Sequence, residues 1–333
     1  MKIVVIQEAV IQPDLTPEEI TAHWNKLKDV PGVTELEIKY PEGYPSAEEF
    51  HEMIGDADAV FGMWVSAMTV NEELFAKHPN LKYIATLGHG FGEFDIEMTR
   101  RKDVVITNTI YGAHTIAEFA WALLMEVCHH TTEHSQIVKG KDWTGLDHYY
   151  GRVATPQIEL FEKTCGIIGL GAIGYSFAKM AQGFGMNVIT YNRHKKSGTQ
   201  YDEIEQVSLD ELLERSDVIS LNAPYSASSA KMINEETIGK MKDGVILINT
   251  ARGGIIDEPA LAKALKSGKI YGAGLDVLTN EPPEKDNPVV KCDNAITTAH
   301  IAWLTRESRL RACDIAIENF KAYLKGAPVS VIN

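Results

Sequence analysis

Short Val- and Ile-rich runs alternate along almost the whole chain with stretches in which apolar residues recur every third or fourth position. A strand buried on both faces reads as a continuous apolar run, and an amphipathic helix as a 3.6-residue period. Residues 2–7, 59–63, 83–87 and 104–107 are therefore expected as strands. Segments 16–27 and 46–53 between them have helical spacing. In the second, Ser46 is followed three residues later by Glu49, the pattern of a capping box. A longer helix is expected over about 115–134, apolar in its first half and so buried between larger units. A polar, aromatic stretch follows at 139–150. A second strand–helix series then begins, with strands expected at 165–169, 187–191, 217–221, 245–249, 272–277 and 295–298, and a closing helix at about 307–324. Repeated strand–helix units imply parallel sheets with helices on both faces. No solenoid-period repeat and no low-complexity segment interrupts the pattern.

Composition narrows this picture. With 333 residues the chain suits two domains of moderate size. Apolar residues at 44% and charged residues at 23% fit a soluble globular protein. The formal charge of −14 repels phosphate backbones, so neither nucleic acid nor an anionic membrane is an expected partner. An anionic substrate would need a local basic group. The opening MKIVVIQEAV reads as a buried strand rather than a signal peptide, and no run approaches the roughly 20 apolar residues of a membrane span. Cys128, Cys165, Cys292 and Cys313 form no CxxC pair, which suits a reduced, cytoplasmic chain.

Chemistry enters at CGIIGLGAIG, where Gly169, Gly171 and Gly174 stand in G-x-G-x-x-G spacing between an expected strand and an expected helix. Such a turn lets the backbone approach a pyrophosphate at a helix N-terminus, so dinucleotide binding is expected, with Ala172 and Ile173 in the same turn. About twenty residues on, a carboxylate usually holds the ribose 2′-hydroxyl of NAD. Here Asn192 stands there, followed by Arg193, His194, Lys195 and Lys196. A neutral amide and a basic cluster suit a 2′-phosphate, so NADP(H) is favoured and NAD(H) remains possible. The alternative is a solvated basic turn.

Three later segments each end an expected strand, where open α/β sheets bind ligands. Arg252 lies in INTARGGIIDEPAL, before a helix expected to be capped by Asp257. Glu281 lies in GLDVLTNEPPEKDNP, just ahead of two prolines, and His300 in ITTAHIAWLTRES. Singly, each has an ordinary reading as a surface ion-pair partner, a loop carboxylate or a packed histidine. His130 and His134, four apart on a helix with His129 beside them, could share a metal, but no third ligand accompanies them, and no metal is expected.

In order and spacing, LGHGFGEFD, TIAEFAWALL, GIIGLGAIG, NAPYSASSAKMIN, NTARGGIID, GLDVLTNEPP and HIAWLTRES resemble the D-isomer-specific 2-hydroxyacid dehydrogenase family across nearly the whole chain. The resemblance implies an α/β protein of two doubly wound parallel-sheet domains. A Rossmann coenzyme domain, 110–303, is inserted into a flavodoxin-like substrate domain, 1–109 and 304–333, with the active site in the cleft between them. It implies hydride transfer between NAD(P)H and a small 2-keto acid. Arg252 would hold the substrate carboxylate, His300 would be the general acid or base, and Glu281 would bond the other ring nitrogen of His300. Asp276 would meet the nicotinamide carboxamide. Thr115, Asn222, Ala223, Pro224, Thr250 and Ala251 would line the cofactor, and backbone N–H groups of His89 and Gly90 would bind the substrate carboxylate.

Several positions depart from the family pattern. Asn192 replaces the frequent Asp, and Ala299 stands where Pro is frequent. His89 and Gly92 occupy places often taken by an apolar residue and by Asp or Asn. Trp303 resembles members acting on hydroxypyruvate, glyoxylate or glycerate, and could equally serve core or dimer packing. A homodimer is implied by the family, with the apolar stretch 115–125 as a candidate surface. D-Lactate or another D-2-hydroxy acid as substrate, and a dinucleotide-sensing, corepressor-like binding protein, are the alternatives.

Overall fold

The N-terminal apolar run becomes β1 (Lys2–Ile6), a central strand of a five-stranded parallel sheet. In this computed structural model, which describes residues 1–7, 14–43, 45–62, 69–88, 95–140 and 155–333, the sheet belongs to a first unit, Met1–Gly112 with Leu304–Asn333. Its other strands are β2 (Glu35–Lys39), β3 (Ala59–Gly62), β4 (Tyr83–Thr86) and β5 (Val105–Thr107). They lie in the order β2-β1-β3-β4-β5, a flavodoxin-like winding. Successive side chains of β1 point to opposite faces. Val4 and Ile6 join a core with Phe50, Val60 and Ile84, while Ile3 and Val5 join another with Trp24, Phe61, Tyr83 and Phe320. This two-sided burial is why the strands read as unbroken apolar runs.

The helices of this unit are α1 (Pro17–Trp24), α2 (Ala47–Ile54), α3 (Glu72–Lys77), α4 (Ile96–Arg100) and the C-terminal helix Arg306–Leu324. The α2 capping box is formed, with the Glu49 N–H donating to Ser46 Oγ and the Ser46 N–H to Glu49 Oε2. The first expected helix ends earlier than its periodicity suggests and tightens into a 3-10 turn, Asn25–Asp29. Strand β2 has no counterpart among the expected elements. It is an edge strand of sequence ELEIK, half-solvated and charged, so only Leu36 and Ile38 mark it.

The second unit, Ala113–Trp303, contains seven parallel strands. They are β6 (Thr164–Ile168), β7 (Asn187–Tyr191), β8 (Glu205–Gln206), β9 (Val218–Leu221), β10 (Val245–Asn249), β11 (Ile270–Leu275) and β12 (Ala295–Thr297). Their order, β12-β11-β10-β9-β6-β7-β8, is the doubly wound dinucleotide-binding order and reverses between β6 and β9. Helices α5 (Ala113–His129) and α7 (Ala172–Gly183) share a core with Cys165, Ile167, Ile246 and Ile248. Between them in sequence lies α6 (Thr131–Gly140), and after α7 come α8 (Thr199–Asp202), α9 (Leu209–Arg215), α10 (Glu235–Lys240) and α11 (Glu258–Ser267). Helices α9 to α11 share the other core with Ile168, Ile219, Leu221 and Leu247.

The helix expected over 115–134 is two helices. His130 adopts a left-handed conformation, φ 48°, and breaks it. The Glu126 carboxylate accepts from the Thr131 hydroxyl and the Thr132 N–H, which starts α6 anew. Apolar residues of α5 pack within this unit, against α7, β10 and β11. The three neighbouring histidines each make an ordinary hydrogen bond, His129 to Gln157, His130 to Tyr271 and His134 to Thr155. Among the described residues no helix is long and apolar enough to cross a membrane.

Candidate active site

Everything that points to chemistry in the second unit sits where its strands end. After β6 the chain turns at Gly169, φ 98°, where a Cβ would lie 2.6 Å from the Ala223 nitrogen. At Gly174 a Cβ would lie 2.2 Å from the Gly169 carbonyl oxygen, so only glycine lets α7 settle on the turn. At Gly171, the α7 N-cap, nothing lies within 4 Å of a Cβ position, and no side chain caps the helix. The turn is closed on two sides and open on the third, which fits a pyrophosphate at the uncapped N–H groups of Ala172 and Ile173.

Two asparagines flank this turn, on the strands either side of β6. Asn192, after β7, accepts the Leu170 N–H through Oδ1 at 2.7 Å, while its buried Nδ2 has no partner among the described residues. Asn222, after β9, donates to the Ser220 hydroxyl at 3.0 Å, while its buried Oδ1 has no partner among the described residues. Buried polar atoms without partners are rare and costly. One orphaned donor and one orphaned acceptor beside an open glycine turn fit a polar ligand there. Ala223 and Pro224 continue the β9 loop, Thr250 and Ala251 follow β10, and Thr115 is buried in the first turn of α5.

The basic cluster after β7 is exposed, and Arg193 Nη1 donates to Ser228 Oγ at 3.0 Å. Ser228 in turn bonds Ser226, Oγ to Oγ, at 3.0 Å. These two serines were not singled out from the sequence; their signal was the polar run SASS just after β9. The structure brings them beside Arg193, and His194 follows it as a second exposed base.

Arg252, Glu281 and His300 are brought together by contacts between loops. Buried Asn249, at the end of β10, donates through Nδ2 to the Arg252 carbonyl at 3.0 Å and accepts the Ala251 N–H at 2.9 Å. A Cβ on Gly253 would lie 1.9 Å from the Leu278 carbonyl carbon, so this loop lies directly against the one after β11. Asp257 accepts the Ala260 N–H and caps α11. The Leu278 N–H donates to Glu281 Oε1 at 3.0 Å, and His300 Nδ1 lies 2.7 Å from Glu281 Oε2. Burial pushes the Glu281 carboxyl up, but the His300 hydrogen bond and charge, the Leu278 N–H and the Arg252 charge together hold it below the ordinary glutamate value. Arg252 is exposed and makes no ion pair with a carboxylate among the described residues.

His300 adopts a left-handed conformation, φ 54°, and the Trp303 indole N–H donates to its carbonyl at 2.8 Å. Asp276, expected toward a cofactor, is buried, and its carboxylate is bonded to the segment around His300. His89 and Gly90 lie outside the described residues.

Comparison with known proteins identifies the family. Residues 121–302 match the family described as "D-isomer specific 2-hydroxyacid dehydrogenase, NAD binding domain". A hydroxypyruvate reductase of Blautia hydrogenotrophica is 41% identical over 293 residues, 86% of this chain and 88% of that protein. The fold is similar to an acyclic imino acid reductase (Bsp5) solved with NADPH and D-Arg, at TM-score 0.83 and 31% identity, covering 100% of both chains. It is also similar to a glyoxylate reductase from Paecilomyes thermophila, at TM-score 0.81 and 30% identity, covering 99% of this chain and 98% of that one. A doubly wound unit with an open glycine turn, joined to this likeness along most of the chain, places the protein in the D-isomer specific 2-hydroxyacid dehydrogenase family, as an NAD(P)H-dependent oxidoreductase that interconverts 2-keto and 2-hydroxy acids.

Proposed function

We propose that this enzyme reduces hydroxypyruvate to its D-2-hydroxy acid, or glyoxylate to its achiral 2-hydroxy acid, with NADPH as preferred donor, and that Arg252, Glu281 and His300 carry the reaction. The observation that carries the reading is the 2.7 Å contact between His300 Nδ1 and Glu281 Oε2. It occupies one ring nitrogen and, among the described residues, leaves Nε2 without a hydrogen-bond partner. Glu281 thereby sets the ring orientation and offsets the charge of the imidazolium. His300 Nε2 gives its proton to the carbonyl oxygen of the keto acid as the C=O π bond breaks. A reduced nicotinamide, when bound, supplies the hydride to the carbonyl carbon. Neutral His300 then regains a proton from solvent, and in the reverse direction it is the base. Arg252, a cation with no carboxylate partner among the described residues, suits the substrate carboxylate through its planar donor fork. Trp303 supports the His300 turn through its indole N–H.

The NADPH preference is supported by Asn192 in place of a carboxylate and by Arg193 with Ser226 and Ser228 alongside it. A 2′-phosphate would replace the Ser228 hydroxyl as partner of the guanidinium, a stronger, charge-assisted contact. The chain is also proposed to act as a homodimer. Exposed Phe161 and Phe184 on the second unit give it apolar surface for that role.

The deciding experiment is a panel of 2-keto acids run with NADPH and with NADH, following reduced-nicotinamide absorbance. Turnover of hydroxypyruvate or glyoxylate, faster with NADPH, is expected. Activity confined to pyruvate would replace the substrate assignment. Cofactor binding with no turnover of any 2-keto acid would favour a sensing protein and sink the proposal.

A further inference from the structure

Glu281 stands on a loop whose residues 279–286 are all exposed. Such a loop holds a side chain loosely unless its ends are tied. Both ends meet one carboxylate. Glu258, the first residue of α11, accepts the Thr279 N–H on Oε1 at 2.6 Å and the Asn287 side-chain NH2 on Oε2 at 2.6 Å. Asn287 is 8% exposed, and its Oδ1 accepts the Val289 N–H at 2.9 Å and the Val290 N–H at 3.2 Å. Those two bonds fix the amide with its NH2 toward Glu258. The base of the clamp is firm, because Asp257 caps α11 and Leu261, Ala262 and Leu265 of that helix are buried in a core of the second unit. An acidic residue in the first turn of a helix is favoured by the helix dipole whatever it touches. Here both of its oxygens are directed at the loop, and bonds to an ionised acceptor are about twice as strong as neutral ones.

We propose that Glu258 is a positioning residue for the reaction: its carboxylate ties Thr279 to Asn287 across the loop and so holds Glu281 against His300. This rests on the reading of Glu281 and His300 as the reactive pair. Thr279 follows Leu278, whose N–H holds Glu281 Oε1 at 3.0 Å, so the bond at Thr279 steadies the backbone from which Glu281 is gripped. At the far end the Asn287 N–H donates to the Glu284 carbonyl at 3.0 Å, and the Asn287 side chain passes that end on to Glu258. A residue that merely stabilised α11 would set the melting temperature. A residue that holds Glu281 sets turnover and its pH dependence as well.

The test compares Glu258→Gln, Asn287→Asp, the double variant and His300→Gln in the full chain. It reads kcat, KM, the pH profile of kcat for keto acid reduction, and NADPH affinity of the binary complex by nicotinamide fluorescence. Glu258→Gln turns an NH2 toward the Asn287 NH2, and Asn287→Asp sets two carboxylates face to face. Each is expected to lower kcat about ten- to a hundredfold, the scale of a small misplacement of a reacting group, with NADPH affinity at the wild-type value. The alkaline limb of the profile should move to lower pH, because an imidazolium less well met by its carboxylate gives up its proton more readily. In the double variant the new amide donates to the new carboxylate, while the N–H groups of Thr279, Val289 and Val290 keep their acceptors. Its kcat and pH profile should return toward wild type. Wild-type kcat and pH profile in Glu258→Gln would overturn the inference. So would a lower kcat with an unmoved pH profile, or without recovery in the double variant. Asn287→Asp and the double variant decide by the same readouts if Glu258→Gln does not fold. Normal turnover in His300→Gln would remove the reading of the site itself. Lost turnover there, with Glu258→Gln and Asn287→Asp at the wild-type rate, would remove only this inference.

Discussion

His300 and Glu281 are each about two-fifths exposed at the side chain, and they meet at 2.7 Å. The pair is built for orientation, because the Leu278 N–H holds the second Glu281 oxygen. His300→Gln should lower kcat by at least about a hundredfold, the lower bound for a general acid–base group; near-normal turnover would remove His300 from its role. Glu281 makes a separate forecast in stability. Its folded pKa is held below the ordinary value, chiefly by His300 acting against burial. A group of that kind contributes stability above its unfolded pKa and loses it as the pH falls through the folded one. The stability gap between wild type and Glu281→Gln should therefore be widest at neutral pH and narrow on acidification, as read from urea melts across that range. A gap independent of pH would contradict the assignment. Arg193→Ala tests the cofactor preference. A hydrogen bond to a charged group is worth about 1.5–3 kcal/mol, so NADPH affinity should fall roughly ten- to a hundredfold while NADH affinity barely moves. Equal losses for both would discredit a 2′-phosphate at Arg193. Of the residues in this region, Arg252, Glu281 and His300 were legible from their order and strand-end positions. Ser226 and Ser228 were not, because a serine-rich loop is the ordinary composition of a turn.

At the scale of elements, the site depends on loops that meet although they lie far apart in sequence. Gly253 is the clearest case, since a Cβ there would enter backbone at Leu278 rather than a movable side chain. Gly253→Ala should cost about 1–3 kcal/mol of stability, as overpacking does, and should depress kcat by displacing the Glu281 loop. A thermal melt with parallel kinetics checks both, and an unchanged Tm would mean the two loops are not in contact. Local signals for elements were strong where they were chemical, as at Ser46 and Glu49, where the cap forms as the spacing suggests. They were weak where a side-chain cap or another part of the chain decides. Periodicity runs straight through His130, but Glu126 reaches across to cap a new helix and the turn is made there. Strand β2 is written in five residues, three of them charged, and exists because β1 offers it an edge.

At the scale of the molecule, the four cysteines supply a direct check on three of the four cores. All four are buried and free, and burial pushes the thiols of Cys128, Cys165 and Cys313 up to about 12. The native protein should react only slowly with an exposed-thiol reagent such as DTNB, and release all four thiols on denaturation. Rapid reaction of any one in the native state would mean that its core opens. The acidic surface sets the other whole-molecule condition. At −14, the chain repels anions generally, so a keto acid must be held by a local cation such as Arg252. The sequence by itself determined the alternation of elements, the glycine turn and the placing of Arg252, Glu281 and His300 just after expected strands. These follow from short-range periodicity and from residue types that chemistry requires at strand ends. Only the tertiary structure decided the strand orders, the break at His130, the approach of the Gly253 loop to Leu278 and the inward bonding of Asp276. The break at His130 is a local side-chain cap that periodicity does not record; the others are contacts between segments remote in the chain, and local pattern carries no record of which remote donor will meet a given acceptor.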